Sequence, residues 1–456
     1  MKTRIAVPLA VAALASAFAG EPTVPPPAPQ APANPLSLWG GRVVFDVEER
    51  VRVEVRDENF DFDDRTDSPT DDGWLLQRFR IGVKLQLADW LVVYAQGQDS
   101  REWDSGRPDF PGALGAEGDD AFDLRQAYVE IGNAAVCPVS LKLGRQVLQY
   151  GDERLVGPLE WSNLGRVFDA AKIQVRQPGW WLDLFAASAV VPIRSEFNKS
   201  DLFNGLESQR DQVFAGAYFS TTAVPFQVTE AYAFYLHENT TRTAAPPNED
   251  TNFATGGIRV KGDPKKLGGF EYDFEGAAQF GEVRGLDLRA YAAHAGFGYN
   301  FDCWGKPRLY AEYSFATGDQ DPADHEIETF QNLFPTNHKF YGYMDLFAWQ
   351  NVHNPAVGFR LTPAPQVTVQ VDGHLFWLAT SEDAWYRANG VSVVRPPDPD
   401  AGEYAGAEID VTVTWKPVRQ LAFQAGYSHF FAGGYLDATG RSADADFVYV
   451  QAEVKF

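Results

Sequence analysis

Apolar and polar residues alternate along most of the chain. Over residues 42–56 the even positions are Arg42, Val44, Asp46, Glu48, Arg50, Arg52, Glu54 and Arg56. The odd positions include Val43, Phe45, Val47, Val51, Val53 and Val55. Over residues 75–87, Phe79, Ile81, Val83, Leu85 and Leu87 face one way, and Arg78, Arg80, Lys84 and Gln86 the other. Ile409, Val411, Val413 and Trp415 alternate with Glu408, Asp410, Thr412 and Thr414, and residues 367–377 and 447–456 follow the same rule. A period of two sustained in this way predicts β-strands with one apolar and one polar face.

Eighteen such segments begin near residues 42, 74, 90, 122, 139, 166, 180, 212, 228, 252, 270, 286, 307, 354, 367, 403, 421 and 446. The links between them are of two kinds, which alternate. Short ones fall at 88–89, 177–179, 223–227, 264–269, 302–306, 362–366 and 417–420. Long polar ones fall at 57–73, 102–120, 149–165, 192–209, 238–251, 318–353, 380–402 and 432–445. Arg284-Gly285 is a short link on the long-loop side and makes the least secure hairpin of the set. Short turns on one edge and long loops on the other describe a membrane barrel, not a soluble sandwich. The predicted fold class is all-β: a transmembrane antiparallel β-barrel of about 18 strands with short periplasmic turns and long extracellular loops. Trp90, Tyr299, Phe301, Trp415 and Phe456 fit one interfacial aromatic girdle, and Trp377, Tyr427 and Phe447 the other.

The N-terminus agrees with that location. Lys2 and Arg4 precede an apolar run and the small-x-small set Ala17-Phe18-Ala19, which reads as a Sec-type signal peptide over residues 1–19. Residues 20–41 hold Pro at 22, 25, 26, 27, 29, 32 and 35 and read as an extended periplasmic leader. Residues 42–456 form the barrel, and the expected location is the outer membrane.

Composition sharpens the picture. The 456 residues carry 39 Lys+Arg against 62 Asp+Glu, a formal net charge of −23, and 14% aromatic residues. The negative balance excludes a nucleic-acid partner, which needs a basic footprint. The mean hydropathy of −0.29 excludes a bundle of membrane helices. It suits a barrel, where half of each strand meets lipid. The two cysteines, Cys137 and Cys303, fall in turns on one edge, eight strands apart, and are expected to stay unpaired.

Parity assigns Arg42, Arg50, Arg52, Arg56, Arg78, Arg80, Lys84, Lys142, Lys172, Arg176, Arg259, Lys261, Arg308 and Arg360 to the inward face. Inward acids are Asp46, Glu48, Glu54, Glu130, Glu312, Asp372, Glu408, Asp410 and Glu453. The lumen is thus expected to be more basic than the whole protein. Guanidinium forks suit carboxylates, so an anionic cargo is expected. The long loops are acidic instead: residues 57–73 hold eight acids against Arg65 alone. Asp319, Asp321 and Asp324 form a weak calcium-like pattern, for which an exposed acidic loop is the better reading. No cofactor is expected. The seven histidines show no zinc spacing, and no Gly-x-Ser-x-Gly elbow, phosphate loop or dinucleotide fingerprint occurs, so no enzymatic activity is expected.

Four stretches carry a family likeness. The first holds Gly144-Arg145-Gln146, Tyr150-Gly151-Asp152-Glu153-Arg154, Trp161-Ser162-Asn163 and Arg166-Val167-Phe168-Asp169. The second is Gln77-Arg78-Phe79-Arg80 with Gln98-Asp99-Ser100-Arg101. The third is Leu333-Phe334-Pro335-Thr336-Asn337-His338-Lys339-Phe340-Tyr341-Gly342 with Asp345-Leu346-Phe347, and the fourth Ala425-Gly426-Tyr427-Ser428-His429-Phe430. Together they resemble the alginate-export family of outer-membrane porins. The resemblance implies an eighteen-stranded barrel with an arginine-rich lumen that passes anionic polysaccharide. It brings Arg154 and Arg166 into the candidate pore set. The loop carrying them is either a folded element entering the pore or a solvated surface loop. The expected partners are an anionic polysaccharide or oligosaccharide, outer-membrane lipid and a periplasmic export complex. The alternative is a diffusion or uptake porin for smaller anionic or neutral solutes.

Overall fold

The computed structural model describes residues 36–65, 71–107, 118–132, 137–194, 196–200, 210–240, 250–391 and 393–456. The expected signal peptide, and the leader up to residue 35, lie outside them. Eighteen long antiparallel strands close into one barrel. They are β1 (Val43–Asp57), β2 (Asp72–Ala88), β3 (Leu91–Trp103), β4 (Asp120–Ile131), β5 (Val139–Gln146) and β6 (Phe168–Gln177). There follow β7 (Trp180–Ala189), β8 (Arg210–Thr221), β9 (Gln227–Thr240), β10 (Thr251–Gly262), β11 (Phe270–Val283) and β12 (Leu286–Asn300). The last are β13 (Arg308–Ala316), β14 (Val352–Ala364), β15 (Val367–Trp377), β16 (Tyr404–Val418), β17 (Leu421–Ala432) and β18 (Ala445–Lys455). Every expected start lies within two residues of an observed one.

Each strand pairs with its chain neighbour, and β1 pairs with β18 from Glu48↔Lys455 to Asp57↔Asp446, so no edge is left open. Ser37 and Leu38, at the end of the expected leader, turn back to pair with Val44 and Val43. The doubtful hairpin forms. Val283 pairs with Leu286, and Arg284 and Gly285 take φ of 52° and 78°, the two positive values a tight two-residue turn demands.

Alternation sorts the faces as expected. Val51, Val53 and Val55 are exposed on the outer wall, while Arg50, Arg52, Glu54 and Arg56 are buried inside. Trp90, Phe301, Trp415, Phe456 and Tyr427 are exposed as girdle residues should be. Phe447 is not one of them. It is fully buried, under the Arg56 guanidinium at 4.0 Å, because its parity is that of inward Glu453 and opposite to lipid-facing Val448 and Val450.

An apolar core occupies the long-loop half of the barrel. Inward rings near the strand ends, among them Phe168, Phe214, Phe376 and Phe430, pack against loops that fold inward. The β5–β6 loop (147–167) contributes Leu148, Tyr150, Leu155 and Val156. The β13–β14 loop (317–351) contributes Phe334, Phe347 and Trp349, and the β15–β16 loop (378–403) Trp385. Tyr150 stacks on Tyr218 at 4.7 Å, and Phe347 on Phe376 at 3.9 Å. The first two loops are also joined by backbone. Gly157 donates to the Phe334 carbonyl, Phe334 to Leu155 and Thr336 to Glu153, at 2.8–2.9 Å.

Candidate functional site

The strands beside the β1–β2 hairpin hold a cluster of guanidiniums because alternate residues there are arginine. The tip of the 147–167 loop lies among them. Arg50 donates to the carbonyls of Glu160 and Ser162 at 2.8 and 3.2 Å. Arg78 donates to the same two at 2.9 Å, and Arg52 to that of Trp161 at 2.7 Å. The Glu160 carboxylate sits 2.6 Å from Arg80, 2.6 Å from Arg125 and 3.3 Å from Arg78. Burial would raise its carboxyl, but Arg80, Arg125 and Arg78 overcome that and pull it down to about 2. Of the two readings left open for this loop, the folded element inside the lumen is the one adopted.

Two members of this cluster were missed in the sequence. Arg125 has the wrong parity. It sits where pairing with β3 slips between Gln96↔Gln126 and Gly97↔Leu124, a bulge that turns consecutive side chains to one side. Glu160 belongs to a loop, where parity says nothing. It adjoins the family-like run Trp161-Ser162-Asn163 but is not part of it, so the sequence carries no direct signal for it.

The remaining candidates are spread around the wall. Arg154 lies against His294 at 3.0 Å, with Glu312 and Glu275 at 3.9 and 4.0 Å. Arg166 is half-buried and donates to the carbonyls of Gly157 and Pro335 at 3.1 and 2.9 Å. Burial holds its guanidinium down to about 10. Lys172 and Arg176 both reach Asp183, at 3.4 and 2.6 Å. Lys142 lies over the Tyr128 ring at 3.6 Å. Arg259 is bound by Asp152, Glu230 and Asp273 at 2.6–2.8 Å, and Lys261 by Asp152 at 2.9 Å. Arg308 pairs with Glu271. Arg360 lines the lumen cavity with no ion pair among the described residues. Arg42 and Lys84 are exposed at the short-turn end of their strands, away from the cluster. Beyond Arg360, then, most inward cations already have a protein partner.

Two cavities lie among these charged residues. One, of about 480 Å³, is lined by Arg154, Lys261, Arg308 and Arg360 together with Glu312 and Asp372. The other, of about 340 Å³, lies toward the long loops among Arg56, Arg166 and Arg387. His338 borders both. Its ring stacks on Trp161 at 4.0 Å and meets Tyr343 edge-on at 4.7 Å, and its Nδ1 lies 3.0 Å from Asp345. This ring stack forms a septum between the cavities.

The acids of the calcium-like pattern hold their own loop. Asp321 and Asp324 accept hydrogen bonds from amides of their own loop, those of Ala323 and Glu326, and Asp319 one from the Asp321 amide. Among the described residues, the acids whose oxygens converge within 4.8 Å are Glu58, Asp61 and Asp71. Cys137 and Cys303 are free and exposed.

The sequence matches the family model described as "Alginate export" over residues 42–450. No curated protein matches it. Solved structures similar to the barrel come from Pseudomonas aeruginosa. OpdK with vanillate gives a TM-score of 0.59 at 11% identity, covering 91% of this chain and 98% of that one. OccK3 (OpdO) gives 0.58 at 13%, covering 91% and 95%. OccK11 (OpdR) gives 0.56 at 12%, covering 91% and 96%. At these identities the likeness is one of fold.

Proposed function

The chain belongs to the alginate-export family, an outer-membrane porin by family and fold, and on that premise we propose that its lumen gives passive passage to carboxylate-bearing saccharides. With the loops folded in, the pore admits single anions or short uronate chains, not a full polymer. The observation that carries this reading is the Glu160 clasp. Three arginines already hold one carboxylate at the height where a passing uronate would present its own. Cations spread along the wall, and not gathered in one tight site, also suit conduction, which needs weak successive binding. The channel is proposed to work with no resident cofactor. The candidate pore residues keep their proposed role, with Arg360 and the clasp arginines foremost.

Planar-bilayer recordings test the reading. Oligogalacturonate should block the current at concentrations where neutral maltooligosaccharides of equal length do not. Charge reversal of Arg360 should lower anion selectivity without disturbing the loops. Equal block by both sugars would overturn the proposal.

Export of a polymer is the second reading, and the same clasp favours it. The loop tip is held by arginines through its backbone carbonyls and one carboxylate. The carboxylates of an entering polyanion could replace these one for one and release the loop. A periplasmic export complex would belong to this reading. A small organic anion, such as the vanillate found with OpdK, would belong to the first.

A further inference from the structure

We propose that the cavity on the long-loop side of the septum is a separate binding site for one small carboxylate carried on a ring. The proposal rests on the porin reading above only for its role, as the first site a solute meets from the long-loop side. Three guanidiniums, those of Arg56, Arg166 and Arg387, line it, and Phe60, Trp161 and Leu333 give it apolar walls.

Arg387 is the telling residue. It is 7% exposed, and its guanidinium lies 3.3 Å over the Phe60 ring. No hydrogen bond or ion pair among the described residues satisfies it. Its nitrogens are nevertheless not sealed off, unlike the buried Nε of Arg56, so they keep open surface beside the cavity they line. Phe60 takes φ of 77°, a conformation an aromatic residue adopts only under constraint, and so brings its ring beneath Arg387.

The neighbours do not compensate the charge. Arg166 gives one guanidinium nitrogen to two carbonyls, which are neutral acceptors. Arg56 donates to the Met344 carbonyl at 3.0 Å, pairs with Glu54 at 3.5 Å outside the cavity lining, and lies 3.8 Å from Asp345. Asp345 is the one carboxylate lining the cavity, and His338 takes part of it at 3.0 Å. Burial, then the charge of Arg56, hold the Arg387 guanidinium down to about 10, with Asp345 opposing them. A buried cation short of a counter-charge is costly, and an anion entering the cavity removes that cost. The bidentate fork of Arg387 would take the carboxylate, with the ring body against Trp161 and Leu333. At about 340 Å³ the space suits one ring and not a chain.

The test is calorimetric titration of the full-length protein in detergent with benzoate, glucuronate and neutral glucose. At least one acid should bind and glucose should not. Whichever acid binds more tightly identifies the ring. Arg387→Gln should weaken that acid about tenfold or more, with Arg387→Lys recovering part of the loss. Heat-modifiable gel migration reports whether each variant is folded. Asp345→Asn is an independent probe. Removing the competing carboxylate should tighten binding several-fold. The proposal is overturned if neither acid binds, if glucose binds as tightly, if folded Arg387→Gln binds as well as the parent, or if Asp345→Asn brings no gain. Conductance is measured separately. Binding without conductance sinks the channel reading alone, and conductance without binding sinks this site alone.

Discussion

Glu160 explains why so many lumen arginines can coexist. Like charges on neighbouring strands repel, and a carboxylate from elsewhere in the chain lets Arg78, Arg80 and Arg125 share one centre. Glu160→Gln keeps the shape and removes the charge. It should loosen the 147–167 loop, raise open-channel conductance and strengthen block by oligogalacturonate about tenfold, since the freed arginines then bind the sugar instead. Single-channel recording reads both effects. The pH dependence has a definite sign. The Glu160 carboxyl titrates below its ordinary range, at about 2. Its contribution is therefore fully present above that ordinary range and is lost only as pH falls through about 2. Hydrogen exchange of the loop amides should be equally protected at pH 5 and pH 8, after correction for the intrinsic exchange rate. A marked rise in opening at pH 5 would contradict the clasp. At this scale the arginines were legible in the sequence because period two announces inward residues. Their partners were not, because Glu160 meets Arg80 across 80 positions of chain and no local rule reports such a meeting.

At the scale of the element, the strands were readable and the loops were not. Alternation is a local signal, and it placed even the β11–β12 hairpin, whose turn is built on the positive φ of Arg284 and Gly285. Gly285→Val forces a branched side chain into φ of 78° and should cost about 1–3 kcal/mol. Urea unfolding in lipid vesicles measures it. Where alternation breaks, the reading failed. The bulge in β4 hid Arg125, and an inward Phe447 was taken for a girdle residue. The in-folded loops left only a motif as a trace, because their shape is set by aromatic packing with strands far away in sequence. Their consequence is the septum. Trp161→Ala removes the ring stacked on His338 and should join the two cavities, raising conductance to small ions. An unchanged conductance would mean that the passage runs elsewhere.

For the whole molecule, the net charge of −23 is a sum over the whole sequence and not a property of the lumen. The 57–73 segment is acid-rich while alternate inward residues of β1 and β2 are arginine, so the overall sign says little about the charge a solute meets in the lumen. The outer wall carries neither sign. Val53 pairs with Val450 across the junction of β1 and β18, both facing lipid. Val53→Arg should destabilise the barrel by about 2–4 kcal/mol if this point lies near the membrane midplane, and by less toward either interface. Equilibrium unfolding in vesicles gives the figure directly. That same junction also sets a schedule. The strand that completes the cylinder is the last of the eighteen to be synthesised, and its partner is the first. Every other strand pair joins neighbours in sequence, but this pairing must wait until all the other strands have been made. Until then the unfinished sheet carries two unsatisfied borders, so a truncation that removes β18 should give material prone to aggregation and degradation, not a slightly weaker channel.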